Sequence, residues 1–141
     1  LILVVTGASG TGTTDVVTVQ FNGDTGNNYE WKRTTLSGAS SSQTAGSAAA
    51  AGQVGALPGP TGTAHYAMTN EITIGNYAGT TFYKAASGFS GGGAASSSGN
   101  MLNYLHATIW QNTAAVNAIT VALSSGGAFV DGTRVTLYGR S

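Results

Sequence analysis

The stretch Leu1-Ile-Leu-Val-Val-Thr6-Gly7-Ala-Ser-Gly10-Thr-Gly12, followed by Thr13-Thr-Asp15-Val-Val-Thr-Val19, decides the fold. Its first half has the apolar strand and glycine turn of a dinucleotide-binding domain, in which backbone amides at a helix N-terminus hold a pyrophosphate. That chemistry requires a helix next. The residues that follow are instead dominated by β-branched side chains, which are stiff at χ1 and favour strands. No helix-length segment is present to make the crossover, so the glycines read as a loop between two antiparallel strands.

The same punctuation continues outward. Short runs rich in Val, Ile, Thr and aromatic residues, separated by Gly, Ser and Asn clusters, predict nine strands, at residues 1–6, 15–21, 28–36, 53–57, 64–74, 80–87, 101–110, 117–123 and 133–138. Alternation sets their faces. Thr133, Val135 and Leu137 oppose Arg134, Thr136 and Tyr138, and the first set is expected to face the core. Ile72 and Ile74 oppose Thr73, and Val17 and Val19 oppose Val16, Thr18 and Gln20. The prediction is an all-β fold, an antiparallel β-sandwich of jelly-roll type, each sheet buried on one face and wet on the other. Residues 37–52 and 87–99 are low in complexity and are expected to be long loops. No fixed-period repeat is present, which disfavours a propeller or solenoid.

A chain of 141 residues suits one domain. Only 7% of residues are charged against a typical quarter or so, while 41% are apolar. No Asp, Glu, Lys or Arg occurs between Arg33 and Glu71 or between Lys84 and Asp131. With a net charge of zero there is no basic stripe to neutralise phosphates, so nucleic-acid binding by charge is not expected. A neutral, Gly-rich surface points instead to a packed oligomer component. Cysteine is absent, which removes disulfides, thiolate chemistry and Cys-based zinc sites together. The apolar run at residues 1–5 lacks a preceding basic region and is shorter than a signal-peptide core, so it reads as a strand and no membrane insertion is expected. Because the chain opens on a strand without an initiator Met, a further N-terminal segment is expected.

Candidate sites meet the same test of context. Gly88-Phe89-Ser90-Gly91-Gly92 has the spacing of a hydrolase nucleophile elbow, but no helix follows Ser90, and His106 and Asp131 come in the reverse of that family's order. His65 and His106 lack metal-ligand spacing and read as strand residues. A glycosidase pair would have to come from Asp15, Asp24, Glu30, Glu71 and Asp131, without any supporting spacing. The segment Asn22-Gly23-Asp24-Thr25-Gly26-Asn27-Asn28 is rich in oxygen ligands, yet it lacks the closing Glu and flanking helices of an EF-hand. Asn22, Gly23, Asp24 and Gly26 therefore read as a tight turn. Trp31 and Phe89 are candidate surface aromatics, and Trp110, Tyr29, Tyr66, Tyr77, Tyr83, Tyr104 and Tyr138 would stack on sugars if exposed. No catalytic, metal or cofactor residues are assigned, and no enzyme activity is expected.

Four longer phrases carry a resemblance: Phe21-Asn-Gly-Asp-Thr-Gly-Asn-Asn-Tyr29, Ile74-Gly-Asn-Tyr77-Ala-Gly-Thr-Thr-Phe82-Tyr-Lys84, Trp110-Gln-Asn-Thr113-Ala-Ala-Val-Asn-Ala-Ile119-Thr-Val-Ala-Leu123 and Gly132-Thr-Arg-Val-Thr-Leu137-Tyr138-Gly139. In this order they look like a domain of bacteriophage virion proteins, often tail or fibre components. The resemblance implies a β-sandwich on the virion exterior, acting in capsid decoration, tail-fibre structure or host attachment. It also implies a homo-oligomer, with a trimer as the default. The partners it implies are other virion proteins and a host surface glycan or receptor. A carbohydrate-binding module of a secreted protein is the alternative that the aromatics suggest.

Overall fold

The computed structural model describes residues 1–61, 66–93 and 101–139, and among these the secondary structure is strand without helix. Ten strands follow in order: β1 (Ile2–Gly7), β2 (Thr14–Phe21), β3 (Tyr29–Ser37), β4 (Ser40–Ala49), β5 (Gly52–Pro58), β6 (Met68–Ile74), β7 (Lys84–Gly93), β8 (Met101–Trp110), β9 (Ile119–Leu123) and β10 (Arg134–Tyr138). They form a seven-stranded sheet, β10-β1-β6-β7-β8-β3-β4, and a three-stranded sheet, β5-β2-β9. Every pairing is antiparallel. The predicted all-β antiparallel sandwich is thus the fold. The chain crosses repeatedly between the sheets, compatibly with a jelly roll, but divides its strands seven to three.

Directly paired residues on antiparallel strands point to the same side, so the register sorts the larger sheet into two faces. Its inner face carries rows such as Leu3–Ile72–Gly88–His106–Arg33 and Val5–Asn70–Ser90–Tyr104–Thr35. The smaller sheet covers the middle of this face and buries Val17, Val19 and Phe21 against Ile72, Ile74, Tyr29 and Trp110. The predicted faces of β2 and β6 are therefore correct.

The sheets come closest where β5 crosses the larger one, touching β8, β7 and β6 in turn. Glycine makes this crossing possible. A Cβ on Gly52 would overlap Thr108, and one on Gly55 would overlap Asn70. From the other side, a Cβ on Gly88 would lie 3.0 Å from the Val54 carbonyl. Polar side chains then tie the crossing: Thr108 Oγ1 donates to the Gln53 carbonyl at 2.6 Å. Asn70 accepts from the Ala56 amide at 2.7 Å and donates to the Val5 carbonyl at 3.0 Å.

Three expectations need correction. Residues 37–52 are not a loop, because β4 pairs with β3 from Ser37↔Ser40 to Tyr29↔Ala49. This edge strand is almost wholly exposed, so it satisfies its backbone on β3 without needing the apolar alternation that marks a half-buried strand. The expected loop at 87–99 is also strand as far as Gly93, with residues 94–99 outside the described part. Within this strand Gly88 is small because a Cβ there would press on the Val54 carbonyl of the crossing strand. Finally, Val135 and Leu137 do lie on the same side as Val5 and Leu3, yet they are 47% and 50% exposed. They sit on the edge strand β10, over which the smaller sheet does not extend.

Candidate functional site

The turn between β2 and β3 is a bracket for the aromatic core. Asn22 and Gly23 adopt left-handed conformations, φ 55° and 70°, as the turn reading requires. Asn22 Oδ1 accepts from the amides of Asn117 and Ala118, and its Nδ2 donates to the Ala115 carbonyl, so the side chain fastens the segment leading into β9. Asp24 accepts from the Gly26 amide at 2.8 Å, Asn28 Nδ2 at 2.9 Å and Trp110 Nε1 at 2.7 Å. The Trp110 bond foremost, then Asn28, holds its carboxyl below the usual carboxylate range. Behind it Phe21, Tyr29 and Trp110 are fully buried, with ring centroids 5.6–6.4 Å apart. The Tyr29 hydroxyl accepts from the Phe21 amide at 2.8 Å. Asp24→Ala strands the Trp110 N–H and is expected to cost about 1–2 kcal/mol, read as a lower thermal midpoint by tryptophan fluorescence.

Asp15 is a second bracket, and sequence reasoning missed it. At 4% exposure it accepts hydrogen bonds from the hydroxyls of Ser9, Thr11, Ser124 and Ser125 and from the amides of Val16 and Ser125. Burial works to raise its carboxyl, but these hydroxyls together win and hold it below the usual range. Asp15 thus ties the β1–β2 loop to the turn after β9. The distributed partners, more than 100 residues apart in sequence, leave no local motif to read.

The remaining candidates are scattered. Glu30 and Glu71 lie on the same outer face but three strands apart and four residues apart along them, roughly 19 Å from inter-strand spacing and rise, beyond the roughly 5–9.5 Å of a glycosidase pair. Asp131 lies in the turn before β10. Ser90 is fully buried within β7 and not presented on an elbow. It and His106 are diagonal neighbours on one inner face, but the residue paired with His106 on the far side is Arg33, a cation that cannot orient an imidazole as an acid does. Among the described residues the Ser90 hydroxyl and both His106 nitrogens have no hydrogen-bond partner. Burial foremost, with Arg33 adding to it, pushes the His106 imidazole down to about 4. His65 lies outside the described residues. Among the described residues no group of three His, Cys, Asp or Glu converges as a metal site would.

The two candidate surface aromatics lie on opposite faces. Trp31 pairs with Thr108 and Gly46 on the inner side, its indole packed over Gly46, and is half-buried. Phe89 stands on the outer face and is 50% exposed. Of the other aromatics Trp110, Tyr29 and Tyr104 are core, Tyr77 is half-buried, and Tyr66, Tyr83 and Tyr138 are exposed.

That outer face is formed by all seven strands of the larger sheet. The smaller sheet lies on the opposite side, so no described element covers it. Across its centre run the rows Thr73–Ser87–Ala107–Lys32 and Glu71–Phe89–Leu105–Thr34, with Ile109 beside Glu30 at one end. Two open hollows mark it. One of about 430 Å³ is lined by Glu30, Lys32, Ala107 and Ile109 among others, and one of about 460 Å³ by Glu71, Thr73, Phe89 and Leu105 among others. Sequence reasoning passed over Leu105 and Ile109, although the signal was present: Met101-Leu-Asn-Tyr-Leu-His-Ala-Thr-Ile-Trp110 is apolar at both parities. Comparison with protein-family models, curated proteins and solved structures returns no match to this chain.

Proposed function

We propose that this chain is a non-catalytic surface module that works by assembling and by presenting its sheets, in a structural or adhesive role on the exterior of a bacteriophage particle. The observation that carries the assembling role is the broad outer face of the seven-stranded sheet, which holds exposed Phe89, Leu105 and Ile109 among hydroxyls and a balanced set of charges. A solitary sheet with one wet face normally places polar residues there, and clustered exposed apolar side chains mark interaction sites. The phage setting is supported by the four sequence phrases between Phe21 and Gly139. The fold supports the task through rigidity. Polar brackets at Asp15 and Asp24 fasten the connecting loops, so the surface is preorganised and loses little conformational entropy on binding.

Locating the chain by labelling in electron micrographs of the particle tests this reading. A position on the outside of tail or head is the expected result. Glycan binding by a monomeric chain, abolished by Trp31→Ala, would replace it with the carbohydrate-binding reading, for which the half-buried Trp31 indole offers a stacking surface.

A further inference from the structure

We infer that the outer face of the seven-stranded sheet is built to pack against the same face of a second copy of this chain, about a two-fold axis that runs along the strands between β7 and β8. The inference rests on the proposal that the chain assembles, and it names the surface and the partner.

The first observation is the sequence of β8. Its inward residues Tyr104, His106, Thr108 and Trp110 are buried by the smaller sheet. Four of its five outward residues, Met101, Leu105, Ala107 and Ile109, are apolar, Asn103 being the exception, and Met101, Leu105 and Ile109 are 65%, 51% and 42% exposed. A strand with large apolar residues at both parities is the pattern of one covered on both faces, and the described residues cover only one. Phe89, opposite Leu105 on β7, extends the apolar strip.

The second observation is area. The six strands from β1 to β4 across the sheet, of six to ten residues each, overlap about this axis, and at about 4.8 Å between strands and about 3.3 Å per residue they make a face on the order of 800 Å². Each partner contributes about 800 Å² to a standard stable interface. One face of this sheet therefore suffices for a dimer without any other element.

The third observation is charge. The outer face carries Glu30, Lys32, Glu71 and Arg134, two acids and two bases, in a chain with very few charges. A two-fold axis along the strands between β7 and β8 exchanges β6 with β3 and β7 with β8. Each Phe89 then stands over Leu105 of the other copy. Each Glu71 faces the other copy's Thr34, one row from Lys32 and within the span of its long side chain. The axis that superposes the apolar strip on itself is the one that brings opposite charges together, as an isologous contact requires. A different partner would not need this internal match.

Sedimentation of the chain, with Leu105→Glu and with the charge variants Lys32→Glu and Glu71→Lys, tests the inference. The expected result is a wild-type dimer that Leu105→Glu weakens by at least ~100-fold, because the new carboxylate must be buried without a partner. Lys32→Glu and Glu71→Lys should each weaken association, and the double variant should restore it. These two positions are exposed, so a folding defect does not confound them. Assembly that survives Leu105→Glu, a trimer, or a charge pair without mutual rescue would overturn the two-fold pairing while leaving the assembling module intact. A wild-type chain monomeric at millimolar concentration would overturn both.

Discussion

Replacing Gly55 by Val is expected to destabilise the sandwich by about 3–5 kcal/mol, enough to lower the urea midpoint severely in a domain whose total stability is about 5–15 kcal/mol. The new side chain overlaps Asn70 where β5 crosses β6. Asn70 cannot step aside cheaply, because it is fully buried and holds both the Ala56 amide and the Val5 carbonyl. Either the sheets separate and the core loosens, or two buried polar groups lose their partner. Gly23→Ala is the contrast. Its φ of 70° is unfavourable for alanine, but nothing lies within 4 Å of the added carbon. The expected cost there is only about 1 kcal/mol. If the two variants have equal denaturation midpoints, the glycine crossing is not what sets the sheet separation.

The second large effect is on pH. His106 is 4% exposed, with neither nitrogen hydrogen-bonded among the described residues and Arg33 beside it. In the unfolded chain its imidazole takes a proton near pH 6.5, but in the folded chain only near pH 4. Between these values the unfolded state binds more protons, so stability is full above about pH 6.5 and falls as the pH falls toward 4. The whole window is worth about 3 kcal/mol. Asp15 and Asp24, held low in the folded state, add their own loss at more acid pH as they are protonated. Chemical denaturation of wild type and His106→Phe at pH 7, 5.5 and 4 separates the contributions. The stability difference between them should shift by about 3 kcal/mol in favour of the variant from pH 7 to pH 4. A constant difference would mean that the imidazole gains solvent or a partner before it is protonated.

Much of the fold is legible in residue order because burial imposes alternation. Val17 and Val19, and Ile72 and Ile74, announce themselves in this way. The misreadings occur where that constraint is absent. In β4 no face is buried, so nothing selects large apolar residues. In β7 the crossing of β5 selects for smallness at Gly88, which reads as a loop. In β10 the alternation is real, but its apolar face lies beyond the reach of the smaller sheet. The candidate contact face was partly visible as Phe89 alone, since Leu105 and Ile109 become its neighbours only through strand pairing and the choice of which face is covered.

Strand β4 joins β3 through a tight turn at Gly38, whose φ is 56°. Trp31 lies on Gly46, where any larger residue would collide with the indole. Between these two glycines the strand is Ala, Ser, Gln and Thr, exposed throughout and asked for no shape. Register there is held by the turn and by one aromatic contact, not by a pattern of side chains. Inheritance therefore weighs unevenly along this edge. Gly38 and Gly46 should persist among descendants of this chain, while the residues between them drift freely, giving the molecule a strip that can change its appearance without changing its architecture.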